Sequence, residues 1–367
     1  MQKKGSRYHD LKVLEVKEET PEAVSITLEV PDELKETFQF NQGQYLTFKK
    51  TINNETVHRN YSICTTPNDD HLKVAVKKVK GGIFSTFANE ELKKGDILSV
   101  MPPKGRFYTP LSPSNKKSYL AVACGSGITP VISIIKTVLE TEKNSEFTLF
   151  YGNKDSNSII FKEELQEIKD IYLDRFSIFH VLSREQTANT FFSGRIDAEK
   201  FKAFSKYFFD MKSIDDYFLC GPEPMINSVS DLLKKEGIDE KQIHYELFTT
   251  ANSKKAASTR KKEETEVEEE STKEKAHITL HLEGSTYEFD MPMNDLRIVD
   301  AARKNGIEVP FSCKGGMCST CVAMLKKGEV EMDVNYALNN QEIEKGLRLT
   351  CQSHPLTKEV EVNYDED

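Results

Sequence analysis

Residues 118–140 read SYLAVACGSGITPVISIIKTVLE, and this stretch decides the fold of the chain's centre. SYLAVAC is a continuous apolar run of strand length, GSG is a turn, and the residues after it carry an apolar stripe at helical spacing. A strand buried on both faces reads this way, and its natural neighbours are parallel strands with helical crossovers. The flanking sequence repeats the theme: FTLFYGN (147–153), FSIFHVLS (176–183), DDYFLCG (215–221) and IHYELF (243–248) alternate with helical patterns at 159–170, near 197–208 and at 225–237. The expected α/β domain has a parallel sheet, with its ligand site beyond the carboxyl ends of the strands.

Upstream, residues 11–16, 23–30, 44–50 and 71–79 show strand alternation separated by turn-rich breaks such as TPNDD, with a short helix expected after GGIFS. Many short strands predict a small antiparallel β-barrel, with a ligand-free sandwich as the alternative. Downstream, residues 251–275 are nearly free of large apolar groups and pass from basic to acidic, with six Glu between 263 and 270. Such a composition cannot bury enough surface to order itself and predicts a flexible charged linker spanning roughly 25–30 Å as a random coil. HITLHLEGSTYEFDMP (277–292) then predicts a hairpin turning at Glu283-Gly284, and LRIVDAARKNG (296–306) a helix ended by Gly306. The expected organisation is 1–112, 113–250, a linker at 251–275, and 276–367.

The 367 residues suffice for two or three domains, and 59 acidic against 50 basic side chains give a formal charge of −9. That balance opposes a general nucleic-acid-binding role. No apolar run approaches the ~20 residues of a membrane span. The N-terminal stretch lacks the apolar core of a secretion signal, so the expected location is the cytoplasm.

Three of the seven cysteines fall within nine positions. Cys313, Cys318 and Cys321 follow the spacing C-x4-C-x2-C, and Cys351 follows after 29 intervening residues. Four soft thiolates suit zinc or iron. Structural zinc sites usually pair two short knuckles, whereas a lone distant fourth cysteine matches the plant-type 2Fe–2S arrangement. Gly315 and Gly316 are expected to supply the dihedrals of the loop, with Ser312, Met317, Ser319 and Thr320 shielding or hydrogen-bonding the sulfurs. Zinc, or no metal at all, is the competing reading.

Two further constellations concern nucleotides. Arg59-Asn60-Tyr61-Ser62 is read as following a barrel strand: a phenol can stack on an isoalloxazine ring, a hydroxyl can reach the flavin N5 region, and a guanidinium suits a pyrophosphate. Taken alone, Tyr61 is equally a core aromatic. Gly81-Gly82-Ile83-Phe84-Ser85 adds a glycine turn leading into a helix, whose terminus can bind phosphate. Gly125-Ser126-Gly127-Ile128-Thr129-Pro130 allows close approach of a dinucleotide, although a plain strand–helix turn would look the same. Cys64 and Cys124 read as core residues and His58 as structural or local to the flavin.

VPFSCKGGMCSTC, NNQEIEKGLRLTCQSHP and the closing EVEVNYDED resemble the ferredoxin domain of phenylacetyl-CoA epoxidase reductase subunits and related bacterial oxygenase reductases. The order of barrel, nucleotide domain and ferredoxin also resembles that group, over all of the chain except the linker. The resemblance implies a β-grasp fold for the last domain. It implies contacts to FAD from Arg59, Tyr61, Ser62, Gly82 and Ser85. Gly125, Gly127 and Thr129 resemble the GxGITP motif and Cys220-Gly221-Pro222 the CGP motif, placing Thr129 and Cys220 beside a nicotinamide ring. Ser183 and Arg184 resemble a serine–arginine pair that binds the 2′-phosphate of NADPH, and Asn153, Lys154 and Arg195 could add charge or a hydrogen bond. Glu185, next to Arg184, pulls the other way, so NADH stays in view. Glu246 and Phe248 resemble an ExF segment at the flavin edge. Tyr61, Ser62, Thr129, Cys220 and Glu246 are thus the expected catalytic positions. The implied activity is an NAD(P)H-dependent reductase that splits a hydride into single electrons through FAD and a 2Fe–2S cluster. Its implied acceptor is a partner protein, foremost a multisubunit di-iron epoxidase of phenylacetate catabolism. Another hydroxylase, a desaturase, a hybrid-cluster protein, or a non-catalytic redox-sensing role are the alternatives.

Overall fold

The computed structural model describes residues 7–185, 190–248, 274–293 and 296–366. Most of the expected linker at 251–275 therefore lies outside the described residues. At its end the expectation needs correction, because Lys275 already pairs with Pro292 in a strand. The chain divides into two compact units, Asp10–Phe248 and Met1–His9 with Thr249–Asp367.

The first unit opens with strands β1 (His9–Thr20), β2 (Ala23–Glu29), β3 (Tyr45–Ile52), β4 (Glu55–Ser62) and β5 (His71–Lys77), then helix α1 (Ile83–Glu90) and strand β6 (Ile97–Val100). They form one sheet in the order β4-β3-β6-β1-β2-β5. Its two edges meet at an antiparallel bridge between Ile63 and Val74, which curls the sheet into a barrel. The side chains at alternate positions, including Val13, Ile26, Phe48, Val74 and Val76, fill the interior with Phe84 of α1.

The same unit continues with β7 (Ser118–Cys124), α2 (Ile128–Thr141), β8 (Glu146–Asn153), α3 (Lys162–Ile171), β9 (Phe176–Leu182), α4 (Ala198–Ser205), β10 (Asp216–Gly221), α5 (Glu223–Lys235) and β11 (Ile243–Leu247). All four strand pairings are parallel, and the order is β11-β10-β7-β8-β9. The period-2 alternation sends Tyr119, Ala121 and Ala123 into one apolar layer and Leu120 and Val122 into the other. This explains why β7 has no polar face in the sequence. The order reverses at β7, so the crevice between the ends of β7 and β10 is the topological switch point.

The second unit holds β12 (Lys275–Leu282), β13 (Ser285–Pro292), α6 (Ile298–Lys304), β14 (Val322–Lys327), β15 (Val330–Met332), α7 (Asn340–Glu344), β16 (Leu347–Leu349), β17 (Ser353–Pro355) and β18 (Glu359–Asn363). Its main sheet, β13-β12-β18-β14-β16, has a parallel β12–β18 centre and antiparallel flanks, with α6 packed on it in the β-grasp manner. The hairpin turns at Glu283-Gly284 as expected. Both residues have positive φ, 51° and 73°, which the tight turn requires. Among the described residues no helix is long and apolar enough to cross a membrane.

Candidate functional site

The switch point is built by backbone approach. A Cβ placed on Gly127 would stand 2.1 Å from the Cys220 carbonyl oxygen, and one on Gly221 would stand 2.8 Å from the Cys124 Cβ. Glycine at these positions lets the turn after β7 lie directly against the end of β10. The Thr129 hydroxyl donates to the Ser126 carbonyl at 3.0 Å, which fixes the first turn of α2. The Tyr151 hydroxyl donates to the Gly125 carbonyl at 3.0 Å from the other side.

Parallel register places Cys220 opposite Glu246 on the neighbouring strand. Ser62, at the end of β4, donates its hydroxyl to Glu246 Oε2 at 3.3 Å. Three expected catalytic residues from positions 62, 220 and 246 thus converge where barrel and parallel sheet meet. Burial raises the Glu246 carboxyl to about 8, with the Ser62 hydrogen bond pulling the other way. Burial, then the charges of Glu246 and Cys124, push the Cys220 thiol well above its ordinary range. A thiol held neutral by burial is a poor nucleophile. Phe248 follows, 40% exposed, at the end of the described strand.

Arg59, Asn60, Tyr61 and Ser62 are the last four residues of β4 itself, not of a loop after it. The reason is the unbroken pairing with β3, which runs from Ile52–Glu55 to Tyr45–Ser62. The Tyr61 ring lies 5.8 Å from Phe48 and 5.4 Å from Phe84, and the residue is half-buried, so it packs on the barrel core. Burial also raises its phenol pKa. The Arg59 guanidinium donates to the His58 carbonyl at 2.8 Å. Ser85 is occupied locally: its hydroxyl accepts from Val79 N–H at 3.1 Å and donates to the Gly82 carbonyl at 3.2 Å. It closes the glycine turn, and Gly82 has no room for a Cβ because that same hydroxyl would be 2.5 Å away.

At the outer edge, Ser183 and Arg184 are exposed directly after β9. Asn153 is 7% exposed, and among the described residues neither atom of its amide has a hydrogen-bond partner within bonding geometry. The ammonium groups of Lys154 and Lys77 approach Glu22 at 3.6 and 4.0 Å, two cations sharing one carboxylate. Burial, then the Lys154 charge, lower the Lys77 pKa. This grouping escapes a reading of the sequence because its members sit in three segments with no motif linking them. Arg195 is exposed. Cys64 is buried, and Cys124 is half-buried with its thiol pushed up to about 12 by burial.

In the second unit the four thiols form two pairs. Cys313 shares a hydrogen bond with Cys318, and Cys321 shares one with Cys351. The Cys313 sulfur also accepts from Gly315 N–H at 3.4 Å and Cys318 N–H at 3.3 Å. The Cys318 contact and these backbone donors bring Cys313 down to about 6, while its neighbour's thiol is raised. A loop that aims N–H groups at sulfur favours thiolate, the form that ligates iron. Thr320 adds a hydrogen bond to Cys318. One expectation is corrected in detail: positive φ falls on Lys314 (50°) and Gly316 (72°), not Gly315. At Gly316 a Cβ would stand 2.8 Å from the Val334 carbonyl oxygen, so close packing is what demands glycine there. Four soft sulfur donors, with backbone N–H groups aimed at Cys313, have the chemistry of a binuclear iron–sulfur site.

Three families match successive parts of the chain: the oxidoreductase FAD-binding domain over residues 10–119, the oxidoreductase NAD-binding domain over 121–231, and the 2Fe-2S iron-sulfur cluster binding domain over 280–356. A subunit of the 1,2-phenylacetyl-CoA epoxidase of Escherichia coli is 38% identical over 98% of both chains. This chain belongs to the family of phenylacetyl-CoA epoxidase reductase-like proteins, ferredoxin–NADP reductase-type oxidoreductases with a C-terminal ferredoxin domain. The ferredoxin reductase component of 3-ketosteroid-9-alpha-monooxygenase from Rhodococcus rhodochrous is 33% identical over 98% of both. The solved structure of phthalate dioxygenase reductase superposes with a TM-score of 0.57 at 21% identity, covering 97% of this chain and 98% of that one, and shares its fold. The family member described here is an NAD(P)H-dependent electron-transfer oxidoreductase that takes FAD, a 2Fe–2S cluster and a nicotinamide nucleotide, and passes electrons to an oxygenase partner. The relatives named are oxygenase components, which leaves the sensor alternative unsupported.

Proposed function

We propose that this chain is the NADPH-using reductase of a multisubunit di-iron epoxidase acting on phenylacetyl-CoA, working in the cytoplasm. The observation that carries the reading is the 38% identity to a phenylacetyl-CoA epoxidase component along the whole of both chains, ahead of 33% to a steroid monooxygenase reductase. Within Asp10–Phe248, the barrel up to residue 112 is read as the flavin domain and the parallel sheet that follows as the nucleotide domain, and the segment from Lys275 as the ferredoxin. When bound, FAD accepts the two electrons of a hydride and releases them singly. Arg59, Tyr61, Ser62, Gly82 and Ser85 form the flavin side of the site, Ser85 by bracing the glycine turn. Gly125, Gly127, Thr129 and Cys220 receive the nicotinamide end, which the tight glycine contacts at the switch point support. Glu246, protonated at neutral pH, keeps a negative charge away from the hydride donor, and Phe248 bounds the pocket. Ser183 and Arg184 hold the 2′-phosphate. Cys313, Cys318, Cys321 and Cys351 hold the cluster.

Anaerobic titration of the purified protein with NADPH, and separately with NADH, tests the first half. Bleaching of both flavin and iron–sulfur bands by NADPH at lower concentration is the expected result, and preference for NADH overturns the nucleotide assignment. Reconstitution with the oxygenase components of a di-iron epoxidase tests the second half. Substrate-dependent NADPH oxidation is expected, and its absence alongside turnover with a steroid monooxygenase would reassign the acceptor.

A further inference from the structure

The turn after β9 is tied to the turn after β8 by three hydrogen bonds. Two extend the parallel ladder, from Ser183 N–H to the Asn153 carbonyl at 2.9 Å and from Arg184 N–H to the Lys154 carbonyl at 2.8 Å. The third uses a side chain: Ser156 N–H donates to Glu185 Oε2 at 2.7 Å. The β8 turn is itself braced, with Asp155 N–H donating to Ser158 Oγ at 3.1 Å and Ser158 N–H to the Asp155 carbonyl at 3.2 Å. An acidic residue beside Arg184 would ordinarily count against a 2′-phosphate, since like charges at close range repel. Here the carboxylate is committed to a backbone donor on the neighbouring turn, while the Ser183 and Arg184 side chains stay exposed.

We propose that Glu185 is a positioning residue for nucleotide selection: its carboxylate locks the β9 turn onto the β8 turn and so presents Ser183 and Arg184 to the 2′-phosphate. Fixing the turn before the ligand arrives removes part of the ordering cost of binding. The inference rests on the assignment of Ser183 and Arg184 to NADPH.

The test uses the full-length holoprotein with ferricyanide as electron acceptor, comparing Glu185→Ala, Glu185→Gln, Ser156→Pro and Arg184→Ala. Kinetics with NADPH and NADH are joined by calorimetric binding of 2′-phospho-AMP. Glu185→Ala should raise the NADPH KM and the 2′-phospho-AMP Kd about five- to tenfold, leaving kcat and the NADH KM unchanged. Glu185→Gln keeps an acceptor oxygen and should stay within about twofold of the parent. Ser156→Pro deletes the donor at a position whose preceding residue is extended (Asp155 ψ 175°), and should reproduce Glu185→Ala. Tighter phosphate binding in both Glu185 variants would mean a merely repulsive charge and overturn the proposal, as would no change in Glu185→Ala and Ser156→Pro. If Arg184→Ala leaves the NADPH-to-NADH ratio intact, the NADPH assignment fails first. If Arg184→Ala loses that ratio while Glu185→Ala keeps it, only the role of Glu185 fails.

Discussion

Glu246 shows how one side chain acquires a chemistry its sequence context does not announce. In the unfolded chain its carboxyl titrates near the ordinary 4.5, whereas in the fold burial raises it to about 8. Between those values the native state holds a proton that the unfolded state has lost, so stability falls as pH rises through that window and levels off above it. Glu246→Gln should flatten this fall, readable as a Tm that no longer drops from about pH 5 to pH 8. In stopped-flow reduction of the flavin by NADPH, the parent should show a titration near 8 that the Gln variant lacks. A profile unchanged by the substitution would remove Glu246 from the site. Gly127 offers a steric counterpart. Gly127→Ala forces a Cβ within 2.1 Å of a backbone oxygen, so the turn must retreat from β10. Nicotinamide nucleotide affinity should weaken about tenfold or more while flavin content stays normal, measured by spectral titration.

At the scale of elements, the parallel sheet owes its rigidity to aromatic packing on the face opposite α2. Phe150 on β8 stacks on Phe204 of α4 at 4.5 Å and on Phe179 of β9 at 5.0 Å. Phe150→Ala should cost about 3–5 kcal/mol, seen as a lowered denaturation midpoint, because the Phe204 and Phe179 rings cannot both collapse into the space. The carboxyl end of β8 lies three residues on, so residual nucleotide binding should weaken as well. α2 is held at its far end by Arg175, whose guanidinium donates to the carbonyls of Leu139, Glu142 and Ser145. Buried Glu142 accepts from Tyr119 and Ser145 hydroxyls at 2.9 and 2.7 Å. These contacts fix the axis along which the GSG turn points at its ligand.

Across the whole molecule the chemistry is modular. The residues proposed for the flavin and nucleotide sites share one compact unit, and the four cysteines proposed to hold the cluster lie in the other. Cys351→Ser should abolish the iron–sulfur absorption and EPR signal, and with it reduction of the oxygenase, yet leave NADPH–ferricyanide activity near the parent level. Loss of ferricyanide activity together with the cluster would show that the units do not function separately.

The class of each domain could be read locally, because hydrophobic periodicity and turn residues act over a few positions: the apolar run at 119–124, bounded by a glycine turn, reads as a buried strand, and Glu283-Gly284 as a tight turn. The cysteine spacing, C-x4-C-x2-C with a distant fourth, was likewise open to a local reading, and the 2Fe-2S family model matches residues 280–356. Tertiary structure alone decided the rest. Ser62, Cys220 and Glu246 meet only because β11 pairs with β10 and the barrel lies against their carboxyl ends, and no local pattern encodes a pairing across some 180 residues. The pKa of Glu246, the shared contact of Lys77 and Lys154 with Glu22, and the tie from Glu185 to Ser156 likewise depend on burial and on which strand becomes the neighbour. Those are properties of the packed chain, where the dielectric and the partners of a group are set by residues far from it in sequence.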